Sequence, residues 1–216
     1  MSQQRTLLSL NYGVKGGFSS TIYEVGQLTV ASTPITDYMA KSEISSFYTA
    51  FARLNVRRHY VQTELSYNIS RYSVEFSSDQ WASSTPTDDL SSIKTKIIGL
   101  EVPLYYGYHI LREGPYGMSF YIGPKAKFVL TDLSAHTLTN LPYTTCEESI
   151  SPLNFSLMAG LGISISPIFF DFSFEYGLQN ISRGFTVTDA SGNSSHQDLI
   201  FDRRKNVLSF SVGFMF

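Results

Sequence analysis

The last eleven residues, Asn206–Phe216, constrain the fold more than any other stretch. Leu208, Phe210, Val212, Phe214 and Phe216 are large and apolar, while Ser209, Ser211 and Gly213 between them are small or polar. Successive side chains of a strand point to opposite faces, so this segment has one apolar face and one small, polar face. We read it as the closing strand of a β-barrel whose apolar face meets lipid.

The same period of two recurs along the chain. It predicts strands over Leu7–Phe18, Phe47–Val56, Tyr60–Ile69, Ile97–Tyr108, Met118–Leu130, Leu153–Ile165 and Phe170–Gln179, with the terminal segment as the eighth. After Ile69 the apolar parity moves to Tyr72, Val74 and Phe76, which predicts a bulge near Ser70. Long polar stretches, Ser19–Ser45, Ser77–Ser92, Thr131–Ser151 and Asn180–Lys205, are expected as loops. The other connections, Arg57-Arg58-His59, Leu111–Gly117 and Ser166-Pro167, are short. Alternating long and short connections belong to barrels that cross an outer membrane. Pro103 and Pro124 fall inside strands, where a closed barrel has no free edge, so each predicts a bulge or a lost ladder bond.

Composition supports a lipid-facing wall. Charged residues are 16% of the chain, against roughly 25% in ordinary soluble domains. With 16 Phe and 14 Tyr the chain is aromatic-rich. No apolar run approaches the ~18 residues of a membrane helix, and strands need only ~9–11 to cross. The net charge of -2 gives no broad attraction to nucleic acid. The single cysteine, Cys146, excludes an intrachain disulfide and reads as an inert loop thiol. Met1–Thr6 lacks the apolar core of a signal peptide. An export signal is therefore expected to have been removed, with Met1 an added start residue.

The charges inside the predicted strands are Lys15, Arg53, Glu64, Glu101, Lys125, Lys127, Asp171 and Glu175. All fall on the small, polar face. An eight-stranded barrel is just wide enough for side chains to fill its interior. Unpaired charges there are costly, so these four cations and four anions predict an ion-pair network that plugs the lumen. Arg71 and Glu75 join the set only if the bulge near Ser70 is real.

Catalytic chemistry is nearly absent from the pattern. His59, His109, His136 and His196 show no metal-ligand spacing, and neither a Gly-x-Ser-x-Gly elbow nor a phosphate loop occurs. Gly160 and Gly162 read as small lumen residues, because Ile165 stands where a nucleotide loop needs its third glycine. Two rim groupings, Asp132/Ser134/His136 and Ser195/His196/Asp198, could in principle hydrolyse lipid.

Several strands resemble the PorT-like, or outer membrane protein beta-barrel, group of Bacteroidetes. Tyr12-Gly13-Val14-Lys15-Gly16-Gly17-Phe18 is similar to that group's first strand. Tyr60–Tyr67 resembles its strand with an inward Glu, and Leu100-Glu101-Val102-Pro103-Leu104-Tyr105-Tyr106 its Glu-x-Pro-Leu strand. Phe210, Val212, Phe214 and Phe216 are similar to the insertion signal read by the barrel-assembly machinery. The resemblance implies the fold, an outer-membrane location and no cofactor, but no biochemical activity; type IX secretion belongs to some members only.

The expectation is an all-β, eight-stranded antiparallel up-and-down transmembrane β-barrel, one domain over 1–216. Ten strands result if part of Ser19–Ser45 or Asn180–Lys205 pairs. Both termini would be periplasmic and the long loops extracellular. The leading function is a non-enzymatic accessory subunit, binding a larger outer-membrane complex through its loops or outer wall. The alternatives are a rim lipid hydrolase and a soluble lipocalin-like barrel, which needs its apolar face inward.

Overall fold

The computed structural model describes the backbone of residues 8–30, 33–34, 38–42, 44–77, 90–130, 135–139, 143–179, 182–189, 194–195 and 199–216. Side chains are described for 8–21, 44–71, 96–130, 151–179 and 206–216. The strands in chain order are β1 (Leu8–Val30), β2 (Thr33–Pro34), β3 (Tyr38–Ser42), β4 (Ser45–Val56), β5 (His59–Ser77), β6 (Leu90–Glu113) and β7 (Tyr116–Val129). They continue as β8 (Ala135–Thr139), β9 (Tyr143–Ile150), β10 (Leu153–Ile165), β11 (Ile168–Gly177), β12 (Ser182–Asp189), β13 (Ser194–Ser195) and β14 (Leu199–Met215).

Eight of these form a closed wall. Around the barrel the order is β1, β4, β5, β6, β7, β10, β11, β14, and β14 returns to β1 along Gly13↔Met215 to Val30↔Leu199. Every pairing in the wall is antiparallel, so the barrel is up-and-down and leaves no free edge. The end of β14 is locked by Tyr12 and Phe216, whose backbones exchange hydrogen bonds of 3.1 and 2.8 Å.

The wall has eight staves, not ten, although parts of both doubtful stretches pair. β3 lies on β5 beyond the end of β4, and β8 lies on β6 beyond the end of β7. The β9–β12 ladder extends that of β10 and β11. These pieces lengthen existing staves. The four stretches expected as long loops are accordingly part strand, including Ser19–Val30 of β1 and Leu199–Lys205 of β14. Their polar sequences hid this. Once a wall rises out of lipid both its faces are wet, and the apolar alternation is no longer required.

Three local expectations are corrected or sharpened. Against β6, β5 keeps one register from His59↔Tyr108 to Ser77↔Leu90, so β5 itself gains no extra residue near Ser70; on its other side the register steps by one between Ser46↔Ile69 and Ser42↔Tyr72. Arg71 is exposed, outside the lumen. A bulge does lie on β6 between His109 and Leu111. It lets the strand run to Glu113, so the turn is Gly114-Pro115 alone, with Gly114 at φ 60°. Pro103 loses its pairing with β5, and Pro124 its pairing with β6, yet each ladder resumes in the same register. Both prolines therefore cost ladder bonds and neither makes a bulge. Each keeps its other neighbour, Lys125 for Pro103 and Leu157 for Pro124.

The bulky residues face outward. Phe172, Phe210 and Leu161 are 49%, 52% and 41% exposed, whereas Glu64 and Lys125 are 5% and 6%. That arrangement excludes a soluble lipocalin-like barrel, whose apolar face must line the interior. On β5 the outward residues between Arg58 and Arg71 include no Lys, Arg, Asp or Glu, a span close to the ~9–11 residues that cross lipid. Arg71 pairs across the ladder with Lys96, which is also exposed. Near the short turns, exposed Tyr12, Tyr106, Tyr108, Tyr116 and Phe216 form an aromatic girdle of the kind found where lipid meets water.

Candidate functional site

The lumen holds the polar chemistry. Period-two alternation turns Lys15, Arg53, Glu64, Glu101, Lys125, Lys127, Asp171 and Glu175 inward from six different staves, and all eight are buried.

They form two groups. Near the short-turn end, Lys15 Nζ lies 2.7 Å from Glu64 Oε1 and 3.0 Å from Asp171 Oδ2. This ties β1 to β5 and β11 across the barrel. Farther up, Lys125 Nζ lies 2.8 Å from Glu101 Oε2 and also contacts Glu175 Oε2. Lys127 Nζ reaches Glu101 Oε1 at 3.2 Å and Asn68 Oδ1 at 3.2 Å. Lys125 thereby links β7 to β11 past the intervening β10. Cross-lumen contacts of this kind brace the wall as spokes brace a rim.

Arg53 departs from the expected pairing. Among the described residues it makes no ion pair. Its Nε donates to Gln62 Oε1, and Gln62 Nε2 donates in turn to Glu64 Oε1. Its guanidinium lies 4.3 Å from the centroid of the Tyr60 ring, a cation–π contact. Equal numbers of cations and anions did not guarantee that each would find a partner.

Beside the ion pairs lies a buried cluster of Tyr60, Tyr105, Tyr121 and Met158. Parity puts Tyr105, Tyr121 and Met158 inside, but their depth depends on glycines across the ladder. Tyr60 is paired with Gly107, and Tyr121 with both Gly107 and Gly160. A methyl group on Gly107 would overlap the Tyr60 ring at Cζ, and one on Gly160 would overlap the Tyr121 ring at the same atom. Gly160 therefore does make room in the lumen. The pairing of inward aromatic with cross-strand glycine was not visible before the register was known. Gly107→Ala is expected to destabilise the barrel by about 1–3 kcal/mol through overpacking, and adding Tyr60→Leu should restore part of the loss. Urea titration of the two variants checks this; an unchanged midpoint for Gly107→Ala would show that the ring simply swings aside.

Two spaces remain. A cavity of about 30 Å³ lies among Lys15, Glu64, Glu101, Lys125, Asp171 and Glu175, room for a water or two. A larger pocket of about 230 Å³ opens at the short-turn end, among Asn11, Arg53, Asn55, His109, Arg112 and Asp171. Among the described residues no cluster of His, Cys, Asp and Glu has the makings of a metal site. The rim side chains Asp132, Ser134, His136, Ser195, His196 and Asp198, and Cys146, lie outside the described side chains.

The fold and the family agree. A model of the family described as "Outer membrane protein beta-barrel domain" matches residues 1–183. No curated protein matches the chain. Among solved structures, the outer membrane protein OprG of Pseudomonas aeruginosa is similar at 12% identity and TM-score 0.57, covering 95% of each chain. A major outer membrane protein of Thermus thermophilus is similar at 13% identity and TM-score 0.52, over 96% of this chain and 100% of that one. The outer membrane protease OmpT of Escherichia coli is similar at 9% identity and TM-score 0.50, over the whole of both chains. At such identities the likeness is one of fold. Taken with the family match, the closed antiparallel wall and its apolar outer face make this chain a member of the outer membrane protein beta-barrel domain family, and so a protein of the bacterial outer membrane.

Proposed function

We propose that the chain is a non-enzymatic binding or accessory subunit of a larger outer-membrane complex. The observation that carries this reading is the filled lumen. Lys15, Lys125 and Lys127, with their acidic partners, cross the barrel and leave a cavity of about 30 Å³ between the groups. A barrel blocked in this way meets a partner protein on its outer wall or at the end that carries the long connections. In this reading both termini and the two-residue turns face the periplasm, and the long connections face outward from the cell. Phe210, Val212, Phe214 and Phe216 supply the apolar face presented to the barrel-assembly machinery, and outer-membrane lipid surrounds the finished wall. The PorT-like affinity rests on the strand patterns at Tyr12–Phe18, Tyr60–Tyr67 and Leu100–Tyr106.

Two measurements test the proposal. In planar bilayers the purified barrel should give no porin-like conductance. In native gels of mildly solubilised membranes, the 24.2 kDa chain should migrate in a larger assembly of fixed stoichiometry. Replacing residues 78–89 or 140–142 with a short Gly-Ser turn should release it if the loop end is the contact. A chain that always migrates alone, or that conducts ions freely, is not an accessory subunit with a plugged lumen.

A further inference from the structure

We propose that the pocket at the short-turn end of the barrel binds an oxyanion, a carboxylate or phosphate group, on the guanidinium of Arg53. The first support is the state of Arg53 itself. It is 7% exposed, yet no carboxylate pairs with it among the described residues. The two acids of its group, Glu64 and Asp171, are both held by Lys15. A buried, unpaired guanidinium is costly, and an arginine fork with terminal nitrogens to spare is shaped to receive two oxygens of one anion.

The second support is the pocket. Arg53 lines a space of about 230 Å³, and so does Arg112. Arg112 is fixed at the mouth by donating Nη1 to Arg57 O at 3.0 Å. Arg53 is fixed by its bond to Gln62 and by the Tyr60 ring, and Tyr60 is itself anchored by donating to Ser119 Oγ at 3.3 Å. His109 shares the lining. Its Nε2 lies 3.2 Å from Asn55 Oδ1, an acceptor, so that nitrogen carries the proton. The hydroxyls of Ser119, Ser164 and Ser166 add donors. The one acid in the lining, Asp171, has Oδ2 engaged by Lys15, while its Oδ1 is buried without a hydrogen-bond partner. The site therefore offers two guanidinium groups and several neutral donors against one carboxylate, whose cation Lys15 is shared with Glu64. Its volume suits a small anion or a single headgroup and falls short of a drug-sized ligand.

The test uses the full chain refolded in maltoside micelles, which contain no phosphate. Unfolding midpoints are measured against inorganic phosphate and against acetate, with chloride holding the ionic strength constant. A saturable rise of roughly 3–6 °C at ten times Kd is expected. It should vanish in Arg53→Gln and persist in Arg71→Gln, which alters an exposed arginine outside the barrel. If Arg53→Gln does not fold, Arg112→Gln should weaken the response at least several-fold. A further arm adds phosphatidylglycerol to the micelles. A response to phosphate or acetate alone assigns a free anion, and a response to phosphatidylglycerol alone assigns a lipid headgroup. No response to any of the three, or equal responses in the wild type and in Arg53→Gln, overturns the proposal.

Discussion

Replacing Lys125 with methionine is expected to destabilise the barrel by about 3–5 kcal/mol, the usual cost of removing one member of a buried ion pair. The reason lies in what is left behind. Lys125 Nζ serves two acids, Glu101 and Glu175. Glu101 retains Lys127 at 3.2 Å, but Glu175 loses its ion-pair partner while remaining 7% exposed. Methionine fills a similar volume, so the loss reports charge and not a void. The double variant Lys125→Met/Glu175→Gln removes both the cation and the stranded anion, and should recover most of the loss. Urea unfolding in phospholipid vesicles, followed by far-ultraviolet circular dichroism, reads both numbers. A single-variant cost below about 1 kcal/mol would mean that water reaches Glu175 freely, and the lumen could not then be a sealed plug.

Arg53 should behave differently. It starts without an ionic partner, so Arg53→Gln strands no acid, and Lys15 remains on Glu64 and Asp171. The contrast between Lys125 and Arg53 separates charges that brace the wall from one available to a ligand.

The sequence carried the sidedness of the wall because lipid enforces it. Wherever hydrocarbon touches the strand, an outward charge is excluded and parity becomes strict, which is why Lys15, Glu64 and Asp171 could be turned inward from pattern alone. Beyond Arg71 and Lys96 that selection ends. Tyr72, Val74 and Phe76 have the look of a shift of register, although β5 keeps one register on β6 throughout. Cross-strand facts were illegible for another reason. Gly107 is far from Tyr60 in the chain, and even within its own hairpin only the register sets it against Tyr121. Likewise, nothing local indicated that Lys15 would take both acids of its group and leave Arg53 with a glutamine.

A charge placed on the outer wall gives the most direct measure of the surrounding medium. Phe172 sits midway along β11, 49% exposed, between Leu161 of β10 and Phe210 of β14. Phe172→Arg is expected to cost about 2–4 kcal/mol if those residues face the bilayer midplane. Ile168, the first residue of β11 and 37% exposed, stands beside the Ser166-Pro167 turn. Near that interface the penalty should fall to about 0–1 kcal/mol. A soluble barrel makes a different prediction, because an exposed substitution in water usually changes stability by no more than about 0.5 kcal/mol at either site. Phe172→Leu controls for loss of the ring. Vesicle unfolding of the three variants therefore reads depth as well as sidedness. If Phe172→Arg and Ile168→Arg cost the same, the apolar wall is not graded by a membrane, and the outward Phe and Leu residues need another explanation.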